Sequence, residues 1–321
     1  MKKLVLTGPY SPAMRAAVLR RLPTDFTVDY VESREDYKKL HDADYTIIRT
    51  LNFNAEDIAS MENMKLIQRW GVGYDTVDIQ AAAEHGIPVA ISYGINSTPV
   101  AEMTLALTLA VYRHLPVNTR NVMDGNWDRS YDKISYTIHG KTVGVVGLGN
   151  IGRKAAALYQ AFGAQILYFD AFRLRPEDET ARNVTYCPLD ELWGKCDIIS
   201  LHTPLTEETV HMVNQEVLAK MKDGAVLINT ARAELIDLDA LAEALRSGKL
   251  LGAGLDAIDE DIASHNPFLG MDNVVLSPHL GGNTADNVDA TAERSVSQIL
   301  AVDRGEKLKA PACVNAHLLN L

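Results

Sequence analysis

Val143-Gly144-Val145-Val146-Gly147-Leu148-Gly149-Asn150-Ile151-Gly152 is an apolar strand that runs into G-x-G-x-x-G and then into the helical pattern Arg153-Lys154-Ala155-Ala156-Ala157-Leu158-Tyr159. Gly147 allows the tight turn, Gly149 removes a side chain where a pyrophosphate approaches the backbone, and Gly152 lets helix and strand pack closely. The helix N-terminus then offers unpaired N–H groups and a positive dipole end to phosphates. The glycine pattern alone is weak, but the next strand ends in Asp170, 18 residues beyond Gly152. A carboxylate there accepts the adenosine ribose hydroxyls, so strand, loop, helix, strand and acid occur in the order of a dinucleotide site. Asp170 repels a 2′-phosphate and favours NAD over NADP. Arg173 and Arg175 follow closely and offer such a phosphate the alternative.

Outward from this stretch, short apolar runs alternate with helical ones. Strands are predicted at Thr142–Gly147, Gln165–Asp170, Asp197–His202, Ala225–Thr230, Gly252–Ala257 and Asn273–Pro278, the inventory of a complete dinucleotide-binding sheet. An earlier series comprises KLVLTG near the N-terminus, Tyr45–Arg49, Lys65–Trp70 and Pro88–Ser92. Continuous rather than alternating hydrophobicity implies parallel strands covered on both faces. Helices are expected from Ser11-Pro12 to Leu22, over Asp78–His85, in one long run from about Thr98-Pro99 to about Asp124, and from Thr284 to about Arg304. The predicted fold is α/β, with a Rossmann dinucleotide-binding domain (101–284) inserted into a flavodoxin-like substrate domain (1–100 plus 285–321).

Composition narrows the field further. The chain has 321 residues, 47% apolar and 23% charged, which suits two globular domains. Lys and Arg total 31 against 42 Asp and Glu, a net charge of −11, so the cationic surface that nucleic acid requires is missing. Cys187, Cys196 and Cys313 have neither disulfide-framework nor metal-ligand spacing, and no metal is expected. The N-terminal apolar run stops at Thr7-Gly8-Pro9, too short for a signal peptide, and no run reaches membrane-spanning length. A cytoplasmic protein is the expectation.

Three more segments follow predicted strands, where doubly wound sheets place their ligands. They are Asn229-Thr230-Ala231-Arg232, Leu255-Asp256-Ala257-Ile258-Asp259-Glu260-Asp261 and Ser277-Pro278-His279-Leu280-Gly281-Gly282. Arginine, carboxylate and histidine beside a nicotinamide suit hydride exchange at a 2-hydroxy or 2-keto acid. The arginine holds the substrate carboxylate with a fork of donors. A histidine supplies or removes the hydroxyl proton, and a carboxylate orients the imidazole. Taken singly, each residue has a blander reading: a surface histidine, a solvated acidic loop, a strand-end ion pair.

With these motifs in order, the chain resembles the D-isomer-specific 2-hydroxyacid dehydrogenase family over nearly its whole length. Further matching segments are Arg69-Trp70-Gly71-Val72-Gly73-Tyr74-Asp75-Thr76-Val77-Asp78, Val100-Ala101-Glu102 and Leu201-His202-Thr203-Pro204-Leu205-Thr206. The resemblance implies that Arg232 anchors substrate and His279 is the acid/base. It implies that Asp256 holds the nicotinamide carboxamide, that Asn150 and Ile151 cover the pyrophosphate, and that Thr203, Thr230, Ala231 and Gly282 line the cofactor. Backbone N–H groups of Gly71, Val72 and Gly73 would bind the substrate carboxylate. Arg49 and Arg69 match arginines that meet a second anionic group in phosphoglycerate dehydrogenases, and 321 residues leave no room for the regulatory domains some of those append. The resemblance implies a dimer through the dinucleotide domain, with the long helix after Val100 contributing; Asn118–Ile138, with Trp127, Tyr131 and Tyr136, would suit that contact or equally wrap its own domain.

Two departures stand out. The family's catalytic carboxylate is usually Glu five residues after the position of Asp256; here Asp261 occupies it, preceded by Glu260, and Asp261 is preferred. Ala233 replaces the glycine that usually follows the arginine, which costs ~1 kcal/mol if the position needs positive φ. The rival class is a non-catalytic NAD(H) sensor on the same fold, which needs the glycine loop and Asp170 but not Arg232 and His279. Metal-dependent and short-chain alcohol dehydrogenases are disfavoured, for want of a Cys/His ligand set and of a suitably placed Tyr-x-x-x-Lys.

Overall fold

The structure, a computed structural model, describes residues 1–127, 129, 134–258, 262 and 265–320. The chain divides into two compact units, Met1–Asn96 with Asn283–Leu321, and Ser97–Gly282.

The smaller unit carries five parallel strands: β1 (Lys2–Thr7), β2 (Phe26–Val31), β3 (Tyr45–Ile48), β4 (Leu66–Arg69) and β5 (Val89–Ala90), in the order β2-β1-β3-β4-β5. That is the second of the two common doubly wound orders. Val5, Ile48, Ile67 and Val89 face one apolar cluster, while Leu4, Leu6, Ile47 and Leu66 face the other. Successive side chains thus serve opposite faces, and both faces are covered. Strand β2 had no counterpart among the predicted strands. It lies at the sheet edge, and Thr27 and Asp29 interrupt its apolar run, which hides the signal of a fully buried strand.

The helix Ala285–Asp303 begins at Thr284, whose side chain accepts from the Asn287 N–H at 3.2 Å, and places Ala292, Val296 and Ile299 against Leu4, Leu6 and Tyr45. The tail closes the β5 edge: Asn315 accepts from Val89 N–H at 2.8 Å and donates to the Ile87 carbonyl at 2.9 Å.

The larger unit is a seven-stranded parallel sheet. Its strands are β6 (Thr142–Val146), β7 (Gln165–Phe169), β8 (Thr185–Tyr186), β9 (Ile198–Leu201), β10 (Ala225–Asn229), β11 (Leu250–Leu255) and β12 (Val274–Leu276), ordered β12-β11-β10-β9-β6-β7-β8. From β6 outward this is the six-stranded Rossmann arrangement extended by β12, and the order reverses between β6 and β9. The sheet has one strand more than the six predicted, because β8 spans two residues and carries almost no periodicity.

The single helix expected from about Thr98 to Asp124 is instead two helices, Ser97–Tyr112 and Leu115–Met123. His114 turns left-handed at φ 50° between them, with Pro116 in the next first turn. Proline lacks the N–H that would bond Tyr112, and its ring clashes with that carbonyl, so a continuous helix is interrupted there. Among the described residues no helix is long and apolar enough to cross a membrane.

Candidate functional site

The nucleotide edge of the larger sheet is built from β6, β7 and the helix Asn150–Ala161. Gly147 turns at φ +92°, and a Cβ there would lie 2.7 Å from the His202 carbonyl oxygen. A Cβ on Gly152 would lie 2.0 Å from the Gly147 carbonyl oxygen, closer than any side chain tolerates, so only glycine lets this helix start against this strand. Gly149 is the N-cap, and nothing lies within 4 Å of where its Cβ would be. Open space over a twelve-residue helix start fits a dinucleotide pyrophosphate. Asp170, the first residue past β7, accepts from Leu148 N–H at 2.6 Å and Phe172 N–H at 2.9 Å. It therefore ties the glycine loop to the strand whose end would meet the ribose, and a carboxylate retains further acceptor sites for hydroxyls.

The opposite side of the edge is assembled by two buried polar residues, Asn229 and Asp256, which are 0% and 1% exposed. Asn229 ends β10. Its side chain accepts from Ala231 N–H at 3.0 Å and donates to the Arg232 carbonyl at 2.7 Å, while its own carbonyl accepts from Asp256 N–H at 2.9 Å. Asp256 then grips three consecutive amides of the next loop. Its carbonyl takes His279 N–H at 2.8 Å, and its carboxylate oxygens take Leu280 N–H at 2.9 Å and Gly281 N–H at 2.8 Å. A Cβ on Gly281 would sit 2.6 Å from that carboxylate. His279 is exposed and held at φ 54°, a left-handed conformation that costs a non-glycine residue about 1–2 kcal/mol. The loops of Arg232, Asp256 and His279 are thus joined through hydrogen bonds of Asn229 and Asp256. Asn229 was not among the predicted site residues; its signal was a polar residue ending an otherwise apolar strand.

Ala233 lies in a 3-10 turn, Ala233–Leu235, and is not among the residues of positive φ, so the expected alanine penalty does not arise. Thr230 bonds Thr104 Oγ1 through its hydroxyl at 3.0 Å, and Thr203 Oγ1 meets Met212 Sδ at 3.8 Å. A second polar group lies beneath the glycine loop: Thr108 and Tyr159 hydroxyls are 2.7 Å apart, and Tyr159 bonds Ser200, whose Oγ is 2.8 Å from His202 Nε2. Burial without a carboxylate partner pushes the His202 pKa down to about 4. Asp261 and Glu260, the two candidate carboxylate partners of His279, lie outside the described residues, as does Tyr131.

In the smaller unit the cationic pair lies at strand ends, Arg49 just past β3 and Arg69 as the last residue of β4. Arg69 Nε donates to the Gly73 carbonyl at 2.8 Å, its Nη1 donates to the Arg49 carbonyl, and Ser92 N–H meets the Gly71 carbonyl at 2.7 Å. Arg49 Nη1 donates to the Pro9 carbonyl at 2.7 Å. The Gly71-Val72-Gly73 loop is thereby held by its carbonyls. Trp70 packs edge-on against Tyr10, with centroids 5.5 Å apart, as a structural side chain.

A Rossmann sheet with a glycine loop, an acid at the next strand end and a tethered arginine–histidine edge defines a two-unit protein of the dinucleotide-binding class. The family model described as D-isomer specific 2-hydroxyacid dehydrogenase, NAD binding domain, matches residues 105–281. The chain is 37% identical over 299 residues to a glyoxylate reductase of Thermofilum pendens, covering 91% of this chain and 88% of that one. It is 38% identical over 285 residues to a hydroxypyruvate reductase of Thermotoga maritima, covering 88% and 92%. A solved D-lactate dehydrogenase from Aquifex aeolicus, complexed with NAD and lactic acid, superposes with TM-score 0.83 at 29% identity, covering 94% of this chain and 96% of that one. The chain belongs to the D-isomer specific 2-hydroxyacid dehydrogenase family, a family of NAD-binding oxidoreductases.

Proposed function

We propose that this protein interconverts a small D-2-hydroxy acid and its 2-keto acid with NAD(H). The observation that carries this reading is the tether through Asn229 and Asp256, which joins the loops of Arg232 and His279 on the sheet that bears the glycine loop. A bound nicotinamide supplies or takes the hydride. Arg232 binds the substrate carboxylate and polarises its carbonyl. His279 takes the hydroxyl proton in the oxidative direction and returns it to the carbonyl oxygen in the reductive one. Asp261, with Glu260 as the alternative, stabilises the imidazolium. Gly147, Gly149, Asn150, Ile151 and Gly152 hold the pyrophosphate, Asp170 the ribose, and Thr203, Thr230, Ala231, Asp256 and Gly282 the nicotinamide side.

In the smaller unit, Arg49, Arg69 and the amides of Val72 and Gly73 are assigned to the substrate, and the two arginines would suit one with a second anionic group. Relatives named glyoxylate and hydroxypyruvate reductases support the acid class. NAD is preferred over NADP because Asp170 repels a 2′-phosphate. A symmetric dimer uses the stretch Asn118–Ile138, in which Val122, Met123, Trp127 and Ile134 are exposed, and light scattering reads its mass. A cytoplasmic location accords with three free, buried cysteines.

The test follows nicotinamide absorbance with 3-phosphoglycerate, hydroxypyruvate, glyoxylate and pyruvate, each with NADH and NADPH. Saturation only by acids with uncharged tails removes the second anion. His279→Ala is expected to lower kcat by about 10²–10⁴-fold while the Kd for NADH changes less than twofold. NADH binding without turnover of any acid by the wild type would favour the sensor.

A further inference from the structure

Arg173 stands three residues beyond Asp170, and three residues of chain span at most about 11 Å, so its backbone is tethered near the strand end that bears Asp170. It is the natural cation for a 2′-phosphate, yet it is engaged elsewhere. Its Nε donates to Glu179 Oε1 at 2.9 Å and its Nη2 to Oε2 at 3.3 Å, a two-point pairing. The same guanidinium lies over the Tyr186 ring, 4.6 Å from its centroid. Glu179 is itself held: Tyr168 OH donates to Oε1 at 2.8 Å, and that hydroxyl accepts from Leu174 N–H at 3.0 Å. The Glu179 side chain is 14% exposed, so its orientation is set by packing as well as by the pair. Arg173, followed by Tyr168, holds its carboxyl below the usual range and keeps it ionised. Arg175 differs, since its partners Asp178 and Glu177 are surface residues of the same short segment.

We propose that Glu179 is a specificity-determining residue: by holding Arg173 over Tyr186 it withholds a cation that a 2′-phosphate could use, and so adds to the repulsion from Asp170 in restricting the cofactor to NAD. The inference rests on reading Gly147 to Asp170 as the dinucleotide site. Two elements cooperate, one repelling the extra phosphate and the other holding back a nearby cation. Neither a glycine motif nor Asp170 reveals the second, because Glu179 lies on a separate helix, Pro176–Arg182.

Kd values for NADH and NADPH, read by fluorescence, test it without any turnover. Glu179→Gln keeps an acceptor for Tyr168 and drops the charge. In an Asp170→Ala background, adding Glu179→Gln is expected to tighten NADPH about tenfold while NADH moves less than twofold. Adding Arg173→Ala should abolish that gain. Tyr186→Leu, in the same background, is expected to give a smaller gain in the same direction and stands in if Glu179→Gln lowers the folded fraction by circular dichroism. An unchanged NADPH Kd in folded Asp170→Ala/Glu179→Gln, or a gain that survives Arg173→Ala, overturns the proposal. Failure of wild type to bind NADH overturns the site reading and the proposal with it, whereas NADH binding with no Glu179 effect overturns the proposal alone.

Discussion

Asp170 and Asp256 are each the first residue past a strand of the same sheet, and each accepts two loop amides through its carboxylate. They differ in depth and in what they hold. Asp256 is 1% exposed, and both its oxygens serve consecutive amides of the His279 loop. Asp170 is half-buried and divides its oxygens between the glycine loop and its own turn. The buried one can shape a loop rigidly, because an unpaired Gly281 amide there has no water to turn to. The more open one can share its acceptors with ribose hydroxyls. One device therefore shapes the His279 loop at Asp256 and ties the glycine loop to its neighbouring turn at Asp170.

The contrast is tested most strongly at Asp256. Asp256→Ala leaves two loop amides without acceptors at about 1–3 kcal/mol each, and releases the left-handed His279. Denaturant unfolding should show a loss of about 2–5 kcal/mol, with kcat lowered at least tenfold, and Asp256→Asn, which keeps one acceptor oxygen, should recover part of both. If Asp256→Ala unfolds like wild type, the grip is not structural.

Beneath the nucleotide edge, His202 is held neutral, its pKa pushed from the usual value to about 4. The unfolded chain then binds more protons between pH about 6.5 and about 4, so stability falls as pH falls through that window and is unaffected above it. The loss reaches up to about 3 kcal/mol near pH 4, and His202→Gln should flatten that slope in urea melts at stepped pH. Equal slopes would place His202 in water.

Gly152→Ala drives a Cβ to within 2.0 Å of the Gly147 carbonyl and should cost about 1–3 kcal/mol while weakening NADH by more than tenfold, by calorimetry. The smallest expected effect is at Asp170. Asp170→Ala should move unfolding by about 1 kcal/mol or less and weaken NADH about tenfold. A stability loss at Asp170 equal to that at Asp256 would erase the distinction between them.

Much of this edge was legible in the chain before any fold was known. The spacing of Gly147, Gly149, Gly152 and Asp170 is local and carries its own geometry. So is the placing of Arg232, Asp256 and His279 just beyond apolar strands. Other features were hidden for physical reasons. The strand Phe26–Val31 is an edge strand with polar interruptions, and Thr185–Tyr186 is too short to show a period. The helix break at His114 was announced by Pro116, but a run of apolar residues at helical spacing outweighed it.

Strand order in both sheets, and the partners of Asn229, Asp256 and Glu179, follow from contacts between segments far apart in the chain. A residue's hydrogen-bond type is inscribed in its side chain, whereas its partner depends on which strands become neighbours. The dinucleotide motif and the family were therefore legible in the sequence alone, since these rest on short spacings and side-chain chemistry. That Asp256 grips the His279 loop and that Glu179 engages Arg173 came from folding, because packing sets which distant acceptor meets which donor.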